Sequence, residues 1–346
     1  MKKLIADMIR ASGPMPIDHY MALCLGHPTL GYYMNRDPLG AAGDFTTAPE
    51  ISQIFGELIG IWCVAAWQAV GSPSPFLLVE LGPGRGTLMA DILRATAKIK
   101  DFAEAAHVHL VETSPVLRQA QRDKLEAQVT WHHSVETLPQ EPLIFVANEF
   151  FDALPAQQLI NHNGQTYERC VDVEGDDLVL AIRPIAPVSG LRDGLNEISP
   201  ASLAIAESLG NRVAALGGAG LVIDYGHVQT SAGETLQALK AHKSVGVVDY
   251  PGDSDLTVHV DFEALGKAFQ AGGAEVLSAK TQGAFLNAMG LEARAAKLAA
   301  KLDGRARKEF LMGAARLVDD KEMGQLFKVL AVAQSLRQPI YPFEAP

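Results

Sequence analysis

The chain has 346 residues, 48% of them hydrophobic and 20% charged, with a formal net charge of −11. That length implies one enlarged domain or two closely packed ones, with a sizeable core, and the uninterrupted apolar runs fall short of the ~20 residues a membrane span requires. The acidic balance, without a clustered basic stretch, excludes nucleic-acid binding and suits a cationic substrate. Cys24, Cys63 and Cys170 are widely spread and form no C-x-x-C pair, which argues against a disulfide framework or a zinc site and for a reducing cytoplasm.

The first ten residues start with two lysines, but Asp7 and Arg10 break any apolar run, so the segment reads as an amphipathic helix and not as a signal peptide. Residues 1–72 form an N-terminal helical region and lid, with loops at 26–33 and 40–49. Residues 50–70 read as one long helix, since Ile51, Ile54, Phe55, Leu58, Ile59 and Trp62 recur at helical spacing. The stretch before it is rich in hydroxyls and acids. It is either a capping segment, with a Thr or Asp satisfying free N–H groups, or a lid that contacts a ligand through Asp44 and Phe45.

A linker at 72–75 leads into a core spanning 73–346, where short apolar runs alternate with helical patterns. Strands are expected at 76–81, 107–112, 129–133, 143–147, 219–224, 274–279 and 327–333, which is the pattern of a seven-stranded, doubly wound, Rossmann-like α/β sheet. Two insertions interrupt it, at about 156–215 and 284–320. In the first, residues 156–182 read as a β-meander turned at Asn163-Gly164. The second reads as two helices, with Arg305, Arg307, Lys308 and Glu309 as a solvated face.

The chemistry gathers at strand ends. After the run Leu77-Leu78-Val79-Glu80-Leu81 come Gly82, Gly84 and Gly86 in G-x-G-x-G spacing. Glycine permits positive φ and close backbone approach to a ligand, and the following helix offers unpaired N–H groups. Glu80 is placed to meet a cationic ligand group such as the α-ammonium of S-adenosylmethionine. Glu112 ends the next strand, where a nucleotide-binding fold puts a carboxylate on ribose hydroxyls.

The fourth strand exits into Asn148-Glu149-Phe150-Phe151-Asp152, where Glu149 and Asp152 could orient a guanidinium or ammonium and take its proton while Phe150 stacks on a planar cation. The competing reading is a turn with Asn and Asp as turn formers. The fifth strand delivers Tyr225 and His227, and His259 follows an acidic loop; each is a site candidate or a structural residue. Asp261 reads as the N-cap of the next helix. The histidine spacing supports no metal site, having neither H-E-x-x-H nor a comparable ligand pair.

The segments His27-Pro28 with Gly31-Tyr32-Tyr33, Gly43-Asp44-Phe45-Thr46-Thr47-Ala48-Pro49-Glu50, Glu80 to Leu88, Asn148 to Pro155, Asp224-Tyr225-Gly226 and Asp255 to Phe262 together resemble the MidA-like class I methyltransferases. That group contains the mitochondrial complex I assembly factor that dimethylates an arginine. The resemblance covers nearly the whole chain. It implies S-adenosylmethionine as cofactor, held by Glu80, Gly82, Gly84, Gly86, Glu112 and Asn148. It further implies symmetric dimethylation of an arginine on an NADH dehydrogenase subunit. On this reading Glu149, Asp152 and His259 are catalytic, while Asp44, Phe45, Phe150, Tyr225 and His227 contact the substrate. The partner is a protein client, with no nucleic acid, no membrane insertion and a homodimer left open. The location is the cytoplasm for a bacterial protein and the mitochondrial matrix for a eukaryotic one. Two other readings stand beside it: a methyltransferase for a small molecule or another side chain, and an assembly chaperone that binds the cofactor without turnover.

Overall fold

The computed structural model describes residues 1–35 and 46–343. Its main sheet is built on β1 (Phe76–Leu81), β2 (Ala106–Val111), β3 (Val129–His132), β4 (Leu143–Asn148), β5 (Gly218–His227), β6 (Glu275–Val276) and β7 (Phe327–Gln334). The strands lie in the order 3-2-1-4-5-7-6. The first five are parallel, whereas β7 runs antiparallel to both β5 and β6. Every residue of β1 and β4 is buried, because helices cover both faces, which explains their continuous apolar runs. Trp62, Phe55 and Ile92 pack on one face; Phe145, Leu209 and Phe269 pack on the other.

Register positions the site. Leu81 pairs with both Val111 and Ala147, so the carboxyl ends of β1, β2 and β4 finish nearly level, while β5, whose Ile223 pairs with Asn148, runs on to His227 beside them. Order reverses between β1 and β4, the switch point at which such sheets open a crevice.

Three local expectations change in the structure. Residues 50–70 do not form one helix: a short helix, Ala48–Ile51, ends at Ser52, whose extended backbone (φ −158°, ψ 130°) starts a second helix, Gln53–Ala69. Ser52 Oγ caps that second helix by accepting from Ile54 N at 3.4 Å, while Gly43, Asp44 and Phe45 of the loop expected to act as cap or lid lie outside the described residues. The sixth strand shrinks to Glu275–Val276, because the edge of β7 is taken up in two pieces, the second by Lys280–Thr281. The stretch 284–320, expected to hold two helices, carries three, Gln282–Ala288, Leu291–Ala299 and Gly304–Arg316, since Gly290 (φ 87°) and Gly304 (φ 52°) each reset the backbone.

The β-meander forms a second sheet from Gln157–His162, Gln165–Glu174, Asp177–Ile185 and Gly194–Ile198, joined by Met15–Pro16. Asn163 (φ 50°) and Gly164 (φ 79°) both take positive φ in its first turn, as a two-residue hairpin demands. Helices Lys2–Ser12 and Ile17–Gly26 bury Ile5, Ile9, Tyr20 and Met21 against this sheet. The helix Pro200–Leu216 packs on the main sheet through Ala206, Leu209 and Val213.

Candidate active site

A cavity of about 760 Å³ opens over the level strand ends. The glycine turn forms one wall through Gly82 (φ 60°) and Gly84 (φ 52°), both in the left-handed region; Gly86 (φ 78°), also expected at the cofactor, is not part of the cavity lining and faces Gln121 and Leu125 instead. A Cβ on Gly82 would stand 2.8 Å from Cδ2 of Phe150, so the turn and the aromatic wall facing it fit only without a side chain there. Gly86 caps the helix Thr87–Thr96, aiming its free N–H groups along the turn.

Glu80 is buried and its Oε2 has no partner. Burial pushes its carboxyl up to about 8; the Met89 amide pulls the other way and the nearby Glu112 adds to the rise. Glu112, at the end of β2, accepts from Ser114 N at 2.8 Å through Oε1 and from Gln121 Nε2 at 3.3 Å through Oε2. Burial again raises its pKa. Asn148 donates through Nδ2 to Glu149 Oε1 at 3.1 Å, which leaves its Oδ1 buried and without a partner.

The exit of β4 makes the acidic wall. Glu149 holds a left-handed backbone (φ 50°), a conformation that costs a non-glycine residue ~1 kcal/mol or more and is found at functional turns. Its Oε1 also accepts from Ala48 N at 3.2 Å. Asp152 accepts the Tyr225 hydroxyl at 2.6 Å on Oδ2, while its Oδ1 is buried and unpartnered. Behind both sits Asp224, fully buried, whose Oδ2 accepts from the backbone N of Phe150, Phe151 and Asp152 at 3.2, 3.1 and 3.3 Å. These three bonds fix the turn that carries both acids.

Burial, and then the Asp152 charge, pushes Glu149 up to about 8. Asp152 is raised chiefly by burial. Asp224 rises well above the usual carboxylate range through burial and the repulsion of Asp152 and Glu149. Burial and mutual repulsion thus favour the neutral forms within this cluster.

The sequence candidates Glu80, Gly82, Gly84, Glu112, Asn148, Glu149, Phe150, Asp152, Tyr225 and His259 all line the cavity. His259 meets Tyr225 edge-on at 5.4 Å, and burial lowers its pKa. His227 stands elsewhere: it faces Asp261 Oδ2 at 3.8 Å and is not part of the cavity lining. Asp261 caps the helix Phe262–Ala271 by accepting from Ala264 N at 3.0 Å. Asp44 and Phe45 lie outside the described residues.

Sequence reasoning did not single out Tyr33, Glu50, Asp224 or Asp255. Tyr33 and Asp255, joined by a 2.8 Å hydrogen bond from the tyrosine hydroxyl, come from segments 222 residues apart, so no local pattern pairs them. Asp224 could have been found, since it ends the same polar strand exit as Tyr225.

The residues fit a nucleoside cofactor bearing an ammonium group: the glycine turn admits it closely, and the buried, unpartnered Oε2 of Glu80 and Oδ1 of Asn148 await donors. When bound, S-adenosylmethionine supplies an electrophilic methyl group. Strand order, glycine turn and strand-end acids define a class I S-adenosylmethionine-dependent methyltransferase.

Comparison with known proteins narrows the class. Residues 58–280 match the family described as "Putative S-adenosyl-L-methionine-dependent methyltransferase", and the chain belongs to that family. It is 37% identical over 370 residues to the Danio rerio protein named protein arginine methyltransferase NDUFAF7, mitochondrial, covering 97% of this chain and 87% of that one. The human protein of the same name is 36% identical over 360 residues, with 94% and 81% covered. Among solved structures, a Burkholderia thailandensis protein bound to S-adenosyl-homocysteine superposes with a TM-score of 0.85 at 26% identity, covering 99% of this chain and 95% of that one.

Proposed function

We propose that the protein is a protein-arginine N-methyltransferase that symmetrically dimethylates an arginine on a subunit of respiratory NADH dehydrogenase during assembly of that complex. The carrying observation is the pair of half-buried Glu149 and buried Asp152: among the described residues the side-chain hydrogen bonds they accept come from neutral donors, the Ala48 amide, the Asn148 side chain and the Tyr225 hydroxyl, and Asp152 Oδ1 has none. Such a pair calls for a cation with several N–H donors, and a guanidinium supplies both. The name shared by the relatives, protein arginine methyltransferase, agrees. The complex I client follows from the motif resemblance, and the compartment is the cytoplasm in a bacterium.

On entry the guanidinium's charge favours ionised Glu149 and Asp152. Their oxygens accept its N–H groups, draw positive charge away from the attacking nitrogen, and hold that nitrogen in line with the cofactor's side of the cavity. One of the two carboxylates would take the proton that the methylated nitrogen sheds, with S-adenosyl-homocysteine as the leaving group of a bound cofactor. Tyr225 holds Asp152 in place, and Phe150 walls the approach.

The test is intact-protein mass spectrometry of the NADH dehydrogenase subunits with and without this gene. A subunit should lose the mass of two methyl groups on deletion, regain it with the wild-type gene, and fail to regain it with Glu149→Gln. Unchanged subunit masses would remove the client from the proposal.

A further inference from the structure

The short helix Ala48–Ile51 touches both halves of the site. Glu50 Oε1 accepts the hydroxyl of Thr87, the first residue of the helix after the glycine turn, and Glu50 Oε2 lies 4.0 Å from Nη1 of Arg85 inside that turn. Lys124 also donates to the Thr87 hydroxyl. Two residues before Glu50, the Ala48 amide donates to Glu149 Oε1. Pro49 between them fixes φ, and Glu50 N and Ile51 N both bond back to Thr47 O, at 3.0 and 3.1 Å, so the five residues move as one piece. Glu50 and Arg85 are both largely covered, with 19% and 29% of their side chains exposed, which shields the pair from solvent screening.

We infer that Glu50 is a positioning residue, which ties the Ala48 amide to the glycine turn and thereby sets the hydrogen bond that Glu149 receives. The inference builds on the reading of Glu149 as the acid that meets the acceptor. Its chemical content is specific. An N–H donor favours the carboxylate over the acid, so loss of the Ala48 bond makes Glu149 harder to ionise. Among the described residues the titratable groups facing Glu149 are Asp152 on its own turn, Asp255 from the strand Asp255–Thr257 and Asp224 from β5, three acids that push in the same direction, while the Asn148 side chain donates to the same Oε1 and opposes them. The half-buried His259 lines the same cavity.

The experiment follows two signals in cofactor-free protein: the protonated-carboxyl infrared band that disappears in Glu149→Gln, titrated against pH, and hydrogen exchange of the peptide spanning residues 46–52. Glu50→Ala should move the Glu149 midpoint upward by about half to one pH unit and deprotect the Ala48 amide at least tenfold. Glu50→Gln, which keeps an acceptor for Thr87 but loses the charge facing Arg85, should fall between Glu50→Ala and wild type. Should Glu50→Ala fail to fold, Thr87→Val breaks the same link and is read in the same way. A midpoint and an exchange rate that both stay at wild-type values overturn the inference. If methyl transfer persists at wild-type rate in Glu149→Gln, the underlying reading of Glu149 falls instead, so the two failures are separable.

Discussion

Glu80→Gln tests how the cofactor side of the cavity is built, and it predicts a gain in stability from loss of a binding group. In the folded, cofactor-free protein the Glu80 carboxyl sits near 8 against an ordinary 4.5. A carboxyl raised by folding holds more protons in the native state, so its contribution is fully present below about 4.5 and is lost as pH rises through about 8. At ~1.4 kcal/mol per pH unit, that gap sets a ceiling of ~5 kcal/mol on the cost of the buried charge at pH 9, and local relaxation brings the expected cost to ~2–3 kcal/mol. Glutamine keeps the shape without the charge. The variant should therefore lie within about 1 °C of wild type at pH 5 and melt about 3–4 °C higher at pH 9, using the entropy scale for a chain of this length. Glu149, Asp152 and Asp224 add a similar slope to both proteins, which cancels in the comparison. With S-adenosyl-homocysteine present the order should reverse, because its ammonium compensates the wild-type carboxylate and finds only an amide in the variant. Thermal melts at pH 5, 7 and 9, with and without that ligand, decide the matter. Parallel curves at every pH would mean that Glu80 is compensated by groups of the protein itself.

Three further outcomes are expected. Glu149→Gln and Asp152→Asn should each bind S-adenosylmethionine nearly as well as wild type by calorimetry while slowing methyl transfer by ~10² or more; wild-type rates in both would make these acids turn formers. Glu112→Gln should weaken cofactor binding roughly ten- to hundred-fold, since it removes charge-assisted bonds worth ~1.5–3 kcal/mol, and a loss below about twofold would assign the residue to anchoring Ser114 and Gln121. Gly84→Val should abolish cofactor binding, because a β-branched side chain is strained at φ 52° as well as bulky; unchanged affinity by calorimetry would show that the turn is not the ligand wall.

Much of the fold was legible because its signals are local. Each of the seven strands starts or ends within a few residues of its apolar run, and the Asn163-Gly164 hairpin announced itself by composition. The misread elements share a cause. Ser52, Gly290 and Gly304 each interrupt a helical pattern that hydrophobic spacing alone carries across the break, since backbone reversal at one residue leaves the periodicity of its neighbours intact. His227 and Tyr225 leave the same strand two residues apart, yet only Tyr225 lines the cavity, because the parallel pairing of Gly226 and His227 with Val260 and Asp261 draws the histidine toward a helix cap.

The sequence by itself determined the layered α/β class, the glycine turn and the acids at the strand ends, because strand alternation and turn chemistry depend on neighbours a few residues apart. Tertiary structure alone decided which of those groups meet. The bonds from Asp224 to the Glu149–Asp152 turn, the Tyr33–Asp255 contact and the link from Glu50 through Ala48 to Glu149 join segments separated by 72 to 222 residues. Their geometry follows from the return path of each crossover and from close packing of two buried sheet faces, and a linear pattern encodes neither.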